Sequence, residues 1–313
     1  MKILFVAAKK NNGCFSPFVE EQKEALLHAG VEVVDYAHTA HGIANYMKWV
    51  PKLHKVIKEI KPDVVHAHFG LTGLLAGLAA IGTGVPVVVT YHGCDINDRK
   101  LRPFSRMAMR LAAWNIFVSK RQMMNAYGSE ARAEKAKKGC LMPCGINSRL
   151  FDAVHVDDAW FDAEFGEGVK VLFASDFGQD VKDPDLAKAA IALVNDVELI
   201  ELKGYTRKQV VTLMYKCKAL LLTSIREGSP QVVKEALACG CPIVSVDVGD
   251  VLERVNGLEG CYVVKSRDPK ELATALEKAI SFGRTKGCER LLADGIDNEQ
   301  IAQRLIEIYK QVQ

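Results

Sequence analysis

The chain has 313 residues, which at roughly 150 residues per domain is about two domains. With 49% hydrophobic and 25% charged residues, disordered, collagen-like and mucin-like classes are excluded. A net charge of +3 excludes a polybasic nucleic-acid binder. The halves differ, however. Residues 1–150 hold 21 Lys and Arg against 11 Asp and Glu, and the remainder holds 20 against 27. The first half is therefore expected to meet something anionic. The nine cysteines include no pair of Cys-x-x-Cys motifs, so they read as reduced thiols of a cytoplasmic protein.

In chain order, Lys2–Ala8 is an apolar run that reads as a strand. An amphipathic helix follows over Phe18–Ala29 and closes at Gly30. Val31–Tyr36 is a second strand, and a long helix is predicted over 43–60. Asp63–Phe69 and Pro86–Gly93 are further strands. The uncharged run Phe69–Tyr91 is long enough to span a bilayer. Gly82, Gly84 and Pro86 interrupt it, so it reads as a buried helix (71–81), a turn and a buried strand. A basic helix over Arg99–Trp114, a strand at Asn115–Lys120 and a short strand at Cys140–Asn147 complete the first half. Residues 148–168, acidic and irregular, read as the linker and the entry to a second domain. Five more strands then alternate with helices at about 184–194, 206–216, 230–239 and 269–282. The last helix, from Asn298, places Ile301, Leu305, Ile306 and Ile308 largely on one side. This is an α/β chain of two Rossmann-like doubly wound parallel sheets, expected to face each other across a cleft. The expected limits are 1–150, 151–295 and a terminal helix over 296–313 that packs back toward the first domain.

Ligands of open α/β sheets sit beyond the carboxyl ends of the strands. The first such loop, Asn11–Val19, lacks Gly-x-Gly-x-x-Gly, which disfavours a nicotinamide dinucleotide. Gly13 permits close backbone approach, and Ser16 with Pro17 can open a helix. His92 and Asp95 follow the fourth strand, where His92 can donate to a sugar hydroxyl or a developing charge and Asp95 can accept from a hydroxyl. His66 and His68 share one face of the neighbouring strand. A metal held by these histidines lacks the carboxylate or Cys spacing that would support it, and no metal is expected.

The most informative segment runs from Thr223 to Val244. A strand ends, Glu227-Gly228 turns, a helix opens near Ser229-Pro230 and ends at Gly240. Glu227 and Glu235 are eight positions apart, about 12 Å if the span were wholly helical. Two carboxylates so placed can grip hydroxyls at opposite ends of a ligand. The helix N–H groups between them face a central anion. That describes a nucleotide sugar.

This segment resembles the Glu-x7-Glu signature of glycosyltransferase family 4 (GT4), retaining enzymes with the GT-B fold. Ser16–Gln22, Asp63–His68, Thr90–Asp95, Phe117–Lys120, Pro143–Asn147 and Val248–Glu253 resemble further family segments in the same order. The resemblance implies that Glu235 binds ribose hydroxyls and Glu227 the donor sugar. Backbone N–H groups around Gly228, Ser229, Gln231 and Val232 would hold the diphosphate. Lys182 would neutralise the leaving group. Gly13 would approach the donor phosphate, His92 would lie near the donor sugar, and Ser16 and Asp95 belong to the acceptor side. One departure concerns Gln179, which stands where the family places an Arg, with Arg226 or Arg207 as substitutes. Cys144 replaces a frequent Asn.

The function expected is a metal-independent, retaining hexosyltransferase of polysaccharide biosynthesis that requires no cofactor. Its donor would be a UDP-sugar, with a GDP-sugar as the alternative, and its acceptor a glycan or lipid-linked hydroxyl. Arg99, Lys100, Arg102, Arg106 and Arg110, interleaved with apolar residues, would rest on the inner face of an anionic membrane. The alternatives are a degenerate, non-catalytic nucleotide-sugar binder and a nucleotide-sugar epimerase on the same fold.

Overall fold

A computed structural model describes residues 1–9, 15–39 and 43–313. The chain forms two compact units, Met1–Gly145 with Asn298–Gln313, and Ile146–Asp297.

The first unit holds six parallel strands: β1 (Lys2–Ala8), β2 (Glu32–His38), β3 (Val64–His68), β4 (Val87–Tyr91), β5 (Trp114–Phe117) and β6 (Gly139–Leu141). Their order is β2-β1-β3-β4-β5-β6. In register, Ile3 faces Val33 on one side and Val64 on the other. β3 and β4 are buried at every position, as expected of central parallel strands covered on both faces. One face carries the helix Pro17–His28 and the terminal helix Asn298–Val312, whose Ile301, Leu305 and Tyr309 enter the core. The other carries helices Val50–Ile60 and Gly70–Ala80. The uncharged run thus divides into a helix, a turn with Gly82 and Gly84 at φ 76° and 75°, and β4. Among the described residues no helix is long and apolar enough to cross a membrane.

The helix predicted over 43–60 is two helices, Ile43–Met47 and Val50–Ile60. Pro51 explains the break. Its ring clashes with the carbonyl four residues earlier and it has no N–H to donate, so it fits only the first turn of a new helix.

The second unit holds β7 (Val169–Phe173), β8 (Val197–Glu201), β9 (Ala219–Leu222), β10 (Ile243–Val246) and β11 (Tyr262–Val264). They are parallel, in the order β11-β10-β9-β7-β8. Residues 148–168, expected to be the linker and the entry to the second domain, lie wholly within this unit. Phe151 and Phe161 are core residues, and Asp157 caps the helix Asp158–Phe165. The dense acidic residues masked three aromatics, Trp160, Phe161 and Phe165, that pack among themselves and with Tyr205.

Both sheets reverse direction after their first two strands, so the switch points lie between β1 and β3 and between β7 and β9. Loops leaving those strands diverge there and open a crevice.

Candidate functional site

In the second unit the switch point receives the loop after β7 and the loop after β9. The first ends in a single 3-10 turn, Asp180–Lys182, and the second carries Glu227. They meet at an ion pair: Lys182 Nζ donates to Glu227 Oε1 at 2.6 Å. The Ile225 N–H donates to the Val181 carbonyl at 2.9 Å, which zips the two loops together.

The helix that follows spans Gln231–Ala238, with Pro230 at its N-cap. It starts one residue later than the predicted 230, so Glu227, Gly228 and Ser229 form a turn ahead of it. The N–H groups of Gln231 and Val232 lie in its first turn and have no intrahelical acceptor. Ser229 Oγ donates to Asp250 Oδ2 at 2.8 Å, and Arg254 Nε donates to the same oxygen at 3.0 Å. Gly249, at φ 61°, closes this side. A Cβ there would lie 2.8 Å from the Gly228 carbonyl oxygen, so any side chain would displace the Glu227-Gly228 turn.

Glu235 sits one turn deeper, its side chain only 8% exposed. Arg207 Nη1 donates to Glu235 Oε1 at 2.7 Å, and the guanidinium lies over the Phe151 ring, 5.0 Å from its centroid. Arg207 opens a helix (Arg207–Lys216) that Thr206 and Gln209 cap reciprocally. Both signature carboxylates are therefore held by cations. Two acids and two bases surround a helix N-terminus at a switch point, an arrangement that can bind hydroxyls and an anion together.

Gln179, the departure noted in the sequence, does not face this group. Its Nε2 donates to Asp176 Oδ2 at 2.8 Å on the exposed loop after β7.

In the first unit His92 follows β4. Its Nε2 meets His68 Nδ1 at 3.1 Å and its Nδ1 meets Cys144 Sγ at 3.5 Å. Its ring packs beside Phe18 and Phe69, with centroids 4.8 and 4.5 Å away. His66 bonds the Tyr309 hydroxyl at 2.6 Å and the Thr90 hydroxyl at 2.8 Å. Burial pushes the His68 imidazole down to about 3. Burial, then the neighbouring His68 and His92, holds His66 well below its usual range. Both are neutral structural partners at physiological pH, and the three rings stack in sequence.

Asp95, expected to accept from a ligand hydroxyl, is 3% exposed. Its carboxylate instead accepts from the backbone N–H groups of Gly70, His92 and Gly93 at 2.9–3.2 Å. Burial pushes its carboxyl up to about 6, opposed by those same N–H groups. Its role is to shape the turn that carries His92. Ser16 is the N-cap of the helix Pro17–His28, and its carbonyl accepts from Val19 and Glu20 N–H. Gly13 lies outside the described residues.

Sequence reading missed Asp250 as the partner of Ser229 and Tyr309 as the partner of His66. It named Arg207 only as a substitute cation. The Arg207–Glu235 partners are 28 residues apart and the Tyr309–His66 partners 243 apart, so no local pattern could join them.

Comparison with known proteins covers both units. A profile described as Glycosyltransferase Family 4 matches residues 14–147, and one described as Glycosyl transferases group 1 matches residues 166–281. TuaC of Bacillus subtilis carries the name of a teichuronic acid biosynthesis glycosyltransferase. It is 25% identical over 248 residues, 71% of this chain and 62% of that protein's own length. The sucrose-phosphate synthase of Thermosynechococcus elongatus superposes with a TM-score of 0.82 at 17% identity, covering 99% of this chain and 98% of that one. The Anabaena protein HepE, solved in complex with UDP and glucose, superposes with a TM-score of 0.74 at 16% identity, covering 99% and 100%. The likeness to those structures makes the fold GT-B, and with each unit matched by its own glycosyltransferase profile the chain belongs to glycosyltransferase family 4.

Proposed function

We propose that the chain is a retaining hexosyltransferase that moves a sugar from a nucleoside-diphosphate sugar to a hydroxyl of a glycan or lipid-linked acceptor, without a metal. The observation that carries this reading is the pair of cation-held carboxylates, Lys182–Glu227 and Arg207–Glu235, around the N-terminus of the helix Gln231–Ala238. In this reading Glu235 Oε1 stays with Arg207 while Oε2 accepts from a ribose hydroxyl. Glu227 accepts from the sugar. The N–H groups of Gln231 and Val232 hold the diphosphate, and Lys182 turns from Glu227 to the phosphate charge that grows as the glycosidic bond breaks.

The acceptor oxygen attacks from the face the diphosphate leaves. Its proton passes to the departing phosphate oxygen, so no protein base is required and the anomeric configuration is kept. A UDP-sugar donor is favoured by the UDP and glucose bound to the Anabaena neighbour. A glycan acceptor is favoured by the name of the Bacillus relative. The site belongs on the cytoplasmic side, where nucleotide sugars are used.

Peripheral membrane contact is part of the proposal. Helix Arg102–Leu111 exposes Met107 and Leu111. Beside it a cavity of about 440 Å³ is lined by Arg106, Arg110, Arg132, Lys137 and Lys138 and by no carboxylate. Cations flanked by exposed apolar side chains suit an anionic bilayer surface.

A second reading, a binder without turnover, is favoured by the loss of a cation at Gln179. Calorimetric titration of UDP, GDP and ADP in EDTA tests the donor site. One nucleotide should bind to the native chain, and Glu235→Ala should weaken it about a hundredfold, the loss of a charge-assisted pair of hydrogen bonds. Failure of all three, with and without magnesium, would remove the transferase reading. Binding without sugar transfer to any acceptor extract would favour the second.

A further inference from the structure

Lys182 is followed by a residue in an unusual conformation. Asp183 adopts φ 50° and ψ 63°, the left-handed region that non-glycine residues populate sparsely and that persists where surroundings over-determine it. Three contacts do so. Asp183 accepts the Leu186 N–H as N-cap of the helix Pro184–Ile191. The buried Thr223 hydroxyl reaches the carbonyls of Lys182 and Asp183 at 2.9 and 2.8 Å. The third contact comes from the distant loop between β11 and the helix Pro269–Phe282. Arg267 Nη2 donates to Asp183 Oδ2 at 2.6 Å and to the Thr223 carbonyl at 2.5 Å, and Nη1 donates to the Ser224 carbonyl at 3.3 Å.

We infer that Arg267 is a positioning residue for the donor diphosphate: its guanidinium clamps the Lys182-Asp183 turn onto the end of β9, and so fixes Lys182 beside Glu227. A planar guanidinium suits this task because one rigid group satisfies a carboxylate and two carbonyls from different loops. A Lys carries its three donors on one rotatable nitrogen and offers no such fixed, wide fork. Arg267 itself is committed to these acceptors and does not act on the ligand. The inference rests on the donor-site reading above, and Lys182 is the group through which it acts.

The test separates the phosphate end of the ligand from the nucleoside end. UDP binding is measured by calorimetry and uridine by competition, with GDP and guanosine and ADP and adenosine in parallel, for native chain, Arg267→Ala, Arg267→Lys and Lys182→Ala. Arg267→Ala should weaken the diphosphate about tenfold and leave the nucleoside within about twofold. Arg267→Lys should fall between. Guanidinium ion should restore diphosphate binding to Arg267→Ala and not to Lys182→Ala. Asp183→Ala combined with Arg267→Ala should cost little more than either alone, because both break one clamp.

Equal loss of diphosphate and nucleoside in Arg267→Ala would overturn the inference, as would native-like diphosphate binding. If Arg267→Ala does not fold, the same ratio is read on Arg267→Lys, where an unchanged ratio overturns it. A native chain that binds no nucleotide at all would instead remove the donor-site reading, and the inference with it.

Discussion

At the scale of residues, the site is a set of opposite charges already paired before any ligand arrives. Such partly buried pairs hold geometry more than they stabilise the fold, since desolvation offsets much of their attraction. In the proposed reaction Lys182 exchanges Glu227 for phosphate, while Arg207 keeps Glu235. Arg207 is thereby removed as a stand-in for the cation lost at Gln179. Arg226 remains: it is exposed, adjoins Glu227 and has no ion pair among the described residues. Arg226→Ala should therefore weaken UDP binding about fivefold, the worth of one exposed charge contact. Gln179→Arg should change it little, because Asp176 already holds the side chain at that position. Calorimetry on both variants checks this, and a large gain from Gln179→Arg with no loss from Arg226→Ala would reverse the assignment.

At the scale of elements, β3 carries two buried, stacked histidines that make the first unit sensitive to acid. His68 titrates at about 3 in the fold against 6.5 when exposed, and His66 is lowered too. The native state then binds fewer protons than the unfolded chain between those values. The contribution is full above about pH 6.5 and is lost as pH falls toward 3. Asp95 works the other way. Its raised value of about 6, against 3.8, favours the fold below 3.8 and is lost as pH rises through 6. Two histidines outweigh one carboxyl. Thermal unfolding followed by circular dichroism should therefore show a midpoint that drops between pH 7 and pH 4.5. His68→Phe should flatten that slope, and an unchanged slope would remove the stacked histidines as its cause.

At the scale of the whole molecule, charge is divided between the halves of the chain. Several cations without an ion pair cluster at one place in the first unit. Arg110, Arg132, Lys137 and Lys138 line the basic cavity, and none is in an ion pair among the described residues. Each such cation near an anionic bilayer contributes about 1 kcal/mol. Co-sedimentation with phosphatidylglycerol vesicles should be substantial at low salt and fall at high salt. Neutralising Arg110, Lys137 and Lys138 to Gln together should weaken it about a hundredfold, with nucleotide binding unchanged. Equal binding to neutral phosphatidylcholine vesicles would exclude an electrostatic membrane contact.

The sequence by itself determined the strands, the parallel doubly wound architecture, and the segment from Glu227 to Glu235. These are local properties: β-branched runs, helix periodicity, and a turn and helix start within a few residues. It also pointed to His92, because a polar side chain at the carboxyl end of a strand is poorly explained by packing, and the family resemblance pointed to Lys182. It went wrong where a local signal was overridden. Acidic residues hid the aromatic face of 148–168, and Pro51 split a helix whose hydrophobic pattern ran on. Only the tertiary structure decided what the polar residues do. Asp95 and His92 look alike as ligands in the sequence, yet burial turns Asp95 to three backbone N–H groups. Glu235 acquires Arg207 from 28 residues away, and Asp183 acquires Arg267 from 84 residues away. A side chain's partner depends on which loops the sheet brings to its switch point, and strand order is set by burial of the whole chain, which no short stretch of sequence encodes.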